Sequence, residues 1–136
     1  MIKYDDLEMA LEFASSGDEF ESYAYIDGES GQVYYVSDIL DEEYPEDIDE
    51  NEKYKLVPHK RELGLGKPLA IAFTEEYLPN NVSDIYSIFS SRGAYSAFKE
   101  VLEDRGLLEK WYEYEQEATQ KALLQWSNEV GITVSI

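Results

Sequence analysis

The chain has 136 residues and a mass of 15.7 kDa, with 30 acidic against 11 basic residues, a formal charge of -19, one histidine and no cysteine. No cysteine means no disulfide, thiolate nucleophile, zinc finger or iron–sulfur cluster, and one histidine rules out a multi-histidine metal site. A pI near 4.1 argues against DNA or RNA as a direct ligand, because a polyanion is held by clustered Lys and Arg.

Tyr4, Leu7, Ala10, Leu11 and Ala14 recur at the spacing of one helical face and are followed by Ser15-Ser16-Gly17, so a first helix is expected over Tyr4 to Ala14. Phe20 to Ile26 and Gln32 to Ser37 are rich in Tyr, Val and Ile. They flank Asp27-Gly28-Glu29-Ser30-Gly31, whose glycines supply the positive φ angles of a hairpin loop, and together these predict a β-hairpin. Lys53 to Val57 reads as a short third strand stopped by Pro58, and His59 to Lys67 as a loop. From Pro68 onward the pattern is helical. Leu69 to Leu78 runs until Pro79-Asn80-Asn81, and a short helix capped by Asn81 or Ser83 then buries Val82, Ile85, Ile88 and Phe89. Ala94 to Asp104 presents Tyr95, Phe98, Val101 and Leu102 between Gly93 and Gly106. The longest helix is expected from about Leu107 to Glu129, with Leu108, Trp111, Tyr112, Ala118, Ala122, Trp126 and Val130 along one stripe.

Ile132, Val134 and Ile136 alternate with Thr133 and Ser135. This terminal strand either completes the chain's own sheet or pairs with a second copy, giving a homodimer through residues 132–136. The expected fold is a single α+β domain over residues 1–136, with an N-terminal helix, a β-hairpin plus short strand, and a helical C-terminal half with a terminal strand.

The charge is unevenly placed. Residues 1–52 hold 18 of the 30 acids and a single base, Lys3, whereas residues 53–136 hold 12 acids and ten bases. The densest stretch is 38–52, where Asp38, Asp41, Glu42, Glu43, Glu46, Asp47, Asp49, Glu50 and Glu52 make nine carboxylates in fifteen positions. Such a run repels itself and favours extended, solvated chain. The longest apolar run, Leu69 to Phe73, falls far short of the roughly 18 residues of a membrane span. The N-terminus does not read as a signal peptide, so no membrane association is expected and the cytoplasm is the expected compartment.

Three blocks carry a family resemblance: Tyr4-Asp5-Asp6-Leu7-Glu8-Met9-Ala10-Leu11-Glu12-Phe13, Tyr25-Ile26-Asp27-Gly28-Glu29-Ser30-Gly31-Gln32-Val33, and Gly93-Ala94-Tyr95-Ser96-Ala97-Phe98-Lys99 continuing through Gly106-Leu107-Leu108-Glu109-Lys110-Trp111-Tyr112. With them the chain resembles the bacterial uncharacterised protein family 0158, a set of small acidic proteins without assigned activity. The loop from His59 to Lys67 is an insertion relative to that family, and Glu115 stands where the family tends to have a basic residue. The resemblance implies a fold and a domain boundary and transfers no catalytic residue.

Candidate chemistry is sparse. Asp47, Asp49 and Asn51 occupy the first, third and fifth positions of a calcium loop, but Glu52 replaces its glycine and Pro58 its bidentate Glu, so no metal site is expected. Gly64-Leu65-Gly66-Lys67 lacks the spacing of a phosphate loop, and no cofactor is expected. His59 has no cysteine or nucleophile motif beside it. Lys99, Trp111, Tyr112 and Glu115 fall near the apolar stripes of the last two helices. They read either as a structural staple, with Glu115 paired to Lys99, Arg92 or Arg105, or as the wall of a binding groove.

The leading functional expectation is a non-catalytic acidic interaction domain that meets a basic protein surface through Asp38, Asp41, Glu42, Glu43, Tyr44, Glu46, Asp47, Asp49 and Glu50. Aromatic residues Tyr34, Tyr35, Tyr44 and Tyr54 surround that segment, and an acidic field speeds encounter while rings supply contact area. Two alternatives stand beside it. One is a DNA mimic or immunity-type inhibitor of a nucleic-acid-binding protein. The other is a small enzyme using carboxylates or Lys99, which needs a pocket lined by Glu115, Tyr112 and Lys99.

Overall fold

The computed structural model describes residues 1–16, 22–37 and 42–136. In chain order its elements are β1 (Ile2–Lys3), α1 (Tyr4–Ala14), β2 (Ser22–Asp27), β3 (Val33–Ser37), β4 (Tyr54–Leu56), α2 (Lys67–Tyr77), α3 (Val82–Ile88), α4 (Ala94–Asp104), α5 (Leu108–Val130) and β5 (Val134–Ser135), an α+β arrangement. They group into two compact units, Met1–Leu63 with Lys121–Ile136, and Gly64–Gln120. Among the described residues no helix is long and apolar enough to cross a membrane.

In the first unit, α1 covers the expected residues. Leu7, Ala10 and Leu11, the centre of its apolar face, are fully buried. Asp5 and Asp6 lie in the first turn, where the helix dipole favours negative charge. β2 pairs antiparallel with β3, Ser22 opposite Ser37 through Ile26 opposite Val33, and β4 adds to the other edge of β2 to give the order β3-β2-β4. Phe20, the expected start of β2, and Gly17, the expected end of the first helix, lie outside the described residues. The Gly31 N–H donates to the Asp27 carbonyl at 2.8 Å, and Gly31 itself sits at φ +79, so the hairpin loop uses the glycine where left-handed backbone is required. The Phe13 and Tyr35 rings meet edge to face at 4.9 Å, fixing α1 on the sheet face that also carries Ala24 and Ile26, both fully buried.

The terminal strand completes a sheet of the chain's own, and its partner is one the sequence pattern does not reveal. β1 and β5 run parallel, Ile2 beside Val134 and Lys3 beside Ser135, with the Ile2 N–H donating to the Thr133 carbonyl at 3.0 Å. Inside the stretch read as a loop, Lys60–Leu63 forms a 3-10 turn. The Lys60 N–H donates to the Ser15 hydroxyl at 3.0 Å, which ties this stretch to the end of α1.

The second unit is helical, with a core of Ala70, Ile71, Phe73, Ile85, Phe98, Leu102 and Trp111. Thr74 is buried without penalty because its hydroxyl donates to the Ala70 carbonyl one turn back at 2.8 Å. α2 begins at Lys67, with Pro68 in the first turn. The expected side-chain cap on α3 is not made. A 3-10 turn over Pro79–Asn81 leads directly into the helix, and Asn81 offers its side chain to Asp84 instead, at 3.4 Å. α4 ends as its glycine predicts: Gly106 has φ +70, and the Leu107 N–H reaches back to the Leu102 carbonyl at 2.8 Å.

Candidate functional site

The hairpin register sorts side chains onto two faces, since residues directly opposite share a face and successive residues alternate. Ala24 and Ile26 face α1 together with Tyr35 and Val33. The other face carries Tyr23 opposite Val36, Tyr25 opposite both Tyr34 and Leu56, and Tyr54 opposite Asp27. Four tyrosines therefore collect on one outer surface. Tyr23 is 39% exposed and Leu56 50%, while Tyr25, Tyr34 and Tyr54 are half-buried. The Tyr34 and Tyr54 rings meet edge to face at 5.9 Å, so side chains from the two outer strands bridge the central one. The Lys53 ammonium stands 5.0 Å from the Tyr54 ring centroid, a cation already resting on this surface.

The acidic run borders it. Its described part is not an extended chain: Glu46 to Glu50 form a turn, because Ile48, an aliphatic side chain amid the carboxylates, is buried to 5% exposure and pins the backbone. The Ile48 N–H donates to the Pro45 carbonyl at 3.2 Å and the Asn51 N–H to the Asp47 carbonyl at 2.8 Å. The Asn51 side-chain amide donates to the Asp47 carboxylate at 3.0 Å. Glu42, Glu43, Tyr44, Glu46, Asp47, Asp49 and Glu50 all remain exposed, whereas Asp38 and Asp41 lie outside the described residues. Burial raises the Tyr25 pKa, and the charges of the turn residue Asp49 and of Tyr44 raise it further. Tyr35, on the opposite face, is likewise raised by burial and then by Asp6 and Glu42. The run thus sends charge to both sides of the sheet. The Asp47 carboxylate, at the first position of the calcium-loop pattern that the sequence fails to complete, accepts from the Asn51 side-chain amide. Among the described residues no group of three or more Asp, Glu or His is placed to hold a metal ion.

Asp27 closes the hairpin at the edge of this surface. Its Oδ1 accepts the Glu29 N–H at 2.8 Å and the Ser30 N–H at 3.2 Å, and its Oδ2 lies 4.0 Å from the Lys53 ammonium. The Glu29 amide is the main reason its carboxyl titrates below the ordinary value, with Ser30 and Lys53 assisting against the opposing effect of burial.

The helical candidates separate in the structure. Trp111 is fully buried at the centre of the second unit, edge to face with Phe98 at 5.0 Å and Phe73 at 5.3 Å, and its indole N–H has no hydrogen-bond partner among the described residues. Tyr112, the next residue, is 45% exposed and lies under the Lys99 ammonium, 5.5 Å from its ring centroid. Glu115 is half-buried. Its charge adds to burial in pushing the Tyr95 pKa up to about 12, and the Tyr95 hydroxyl donates to the Leu65 carbonyl at 3.5 Å. α4 and α5 therefore bring Lys99 to Tyr112 and Tyr95 to Glu115, with Trp111 kept inside. A cavity of about 330 Å³ in this unit is lined by Lys67, Pro68, Ile71, Ala72, Glu75 and Tyr86, none of them among these candidates. His59 is used structurally: its Nδ1 accepts the Arg61 N–H at 2.9 Å.

The tyrosine face is the part that site reasoning from sequence did not assemble. Its signal was the alternation of Tyr23, Tyr25 and Asp27 with Ala24 and Ile26, which marks one face of β2 but leaves its cross-strand partners unknown.

The model of an uncharacterised protein family, UPF0158, matches residues 4–135. No curated protein and no solved structure matches the chain.

Proposed function

From the premise that the chain belongs to the uncharacterised protein family UPF0158, we propose that it is a non-catalytic acidic interaction domain that binds a basic protein surface. The observation that carries this reading is the turn at 46–50. Burial of Ile48 holds Glu46, Asp47, Asp49 and Glu50 exposed at defined positions beside a tyrosine-rich sheet face. Carboxylates on a folded turn steer a cationic partner, and the adjoining rings offer rigid contact area that loses little side-chain entropy on binding.

The test is titration of the protein with a short oligolysine peptide at low and at high salt, repeated with a Glu46→Gln, Asp49→Asn, Glu50→Gln triple variant. The expected result is binding that weakens as salt rises and weakens again in the variant. Absence of binding at low salt, or binding indifferent to both salt and the substitutions, overturns the reading.

A further inference from the structure

We propose that the outer face of the β3-β2-β4 sheet is an arginine-docking platform, on which the rings of Tyr23, Tyr25, Tyr34 and Tyr54 stack guanidinium groups of an extended basic segment while the neighbouring turn neutralises their charge. This rests on the interaction-domain reading and narrows its partner from a basic surface to an arginine-bearing strand-like one.

Three observations lead there. The first is composition of the surface: register places four tyrosines, Val36 and Leu56 together on the side of the sheet away from α1, with Tyr23 39% and Leu56 50% exposed. A purely apolar partner would have to strip water from the carboxylates at the border without replacing their hydrogen bonds, a costly arrangement, so charge complementarity selects a cationic one. The second is the Lys53 ammonium, 5.0 Å from the Tyr54 ring centroid, which shows that a ring of this face accepts a cation. The third is spacing. Tyr23 and Tyr25 are two residues apart along β2, roughly 6.6 Å, which equals the repeat of alternate side chains in an extended peptide lying along the strand.

Arginine suits the platform better than lysine. Its guanidinium is flat, weakly hydrated and able to lie on an aromatic face while its edge hydrogen-bonds a carboxylate, whereas an ammonium is a strongly hydrated point charge. The neighbouring turn offers exposed carboxylates for that edge, Asp49 among them.

The experiment compares a peptide of alternating Arg and Ser with its Lys counterpart of equal length and charge, by calorimetry at near-physiological salt. The wild-type protein is expected to bind the Arg peptide about fivefold more tightly or better, the scale of stacking on two rings. That ratio is expected to fall to about one in a Tyr23→Leu, Tyr34→Leu variant and to persist in Tyr23→Phe, Tyr34→Phe, which keeps the rings. Equal binding of both peptides by the wild type overturns this inference and leaves the acidic interaction reading standing. Binding of neither overturns both. A ratio unchanged in a folded Leu variant also overturns it, since recognition would then lie off this face. Circular dichroism establishes folding, and if the double variant does not fold, Tyr23→Leu alone makes the same comparison at an exposed position.

Discussion

The Asp27 carboxylate accepts the Glu29 backbone N–H at 2.8 Å, and this bond, made inside the hairpin loop, is the main cause of its lowered pKa. A carboxyl whose folded pKa lies below its unfolded value stabilises the protein above the unfolded value, and that stability is lost as pH falls through the folded one. Asp27→Ala is expected to cost about 2 kcal/mol near neutral pH, the worth of a charge-assisted hydrogen bond at an 8% exposed residue. The difference between wild type and variant should shrink in acid. Urea unfolding of both at neutral and acidic pH measures it, and a difference independent of pH would sink the assignment.

Gly31 packs against the first residue of the chain. A Cβ built there would stand 2.8 Å from the Met1 carbonyl oxygen and 2.9 Å from its carbon, backbone atoms with no rotamer to yield, at a φ of +79. Gly31→Ala should therefore destabilise by more than the about 1–2 kcal/mol of left-handed backbone alone. Gly93→Ala, at φ +72 with nothing among the described residues within 4 Å, should show only that backbone cost. Equal losses in thermal unfolding would show that the Met1 contact contributes nothing.

Tyr4 is one of the tyrosines, with Tyr95, that act on the alkaline side. Burial first and Glu8 next push the Tyr4 pKa up to about 12. A raised folded pKa contributes stability that is present below the ordinary tyrosine value and lost as pH rises through the folded one, so wild type should weaken between about pH 10 and 12. Tyr4→Phe should match wild type within about 1 kcal/mol near neutrality and should lose less stability at high pH. Tyrosinate absorbance and chemical unfolding in parallel provide the check.

Trp111 holds the helical unit together. Trp111→Ala should cost about 3–5 kcal/mol by opening a cavity between Phe73 and Phe98. Trp111→Phe should cost much less, since it keeps an aromatic ring and removes an N–H that has no partner among the described residues. Guanidinium unfolding distinguishes the two, and comparable losses would mean that the N–H makes a contact worth having.

How much was legible follows the range of the interactions. α1 and α4 fall on the expected residues because a 3.6-residue period is a local property: Leu7, Ala10 and Leu11 announce their face without reference to the rest of the chain. The hairpin is legible because Asp27 to Gly31 contains its own turn chemistry. The cap on α3 was misjudged because a preceding 3-10 turn set the entry of the chain, and the turn at 46–50 was missed because the carboxylates around it outweighed one Ile48 in any reading by composition.

By itself, then, the sequence determined the types of the longer helices and of the hairpin strands, the α+β class, the concentration of charge before Lys53 and the exclusion of cysteine chemistry. Tertiary structure decided what depends on partners distant in the chain: that Ile2 runs beside Val134, that Ile48 is buried, and that Tyr25 meets Tyr34 and Leu56 on one face. It also decided that adjacent residues Trp111 and Tyr112 take opposite sides, one at the centre of a core and the other under a lysine at the surface. The physical reason is register. A shift of one residue in a strand exchanges its faces, and only packing against the other elements selects which face is buried.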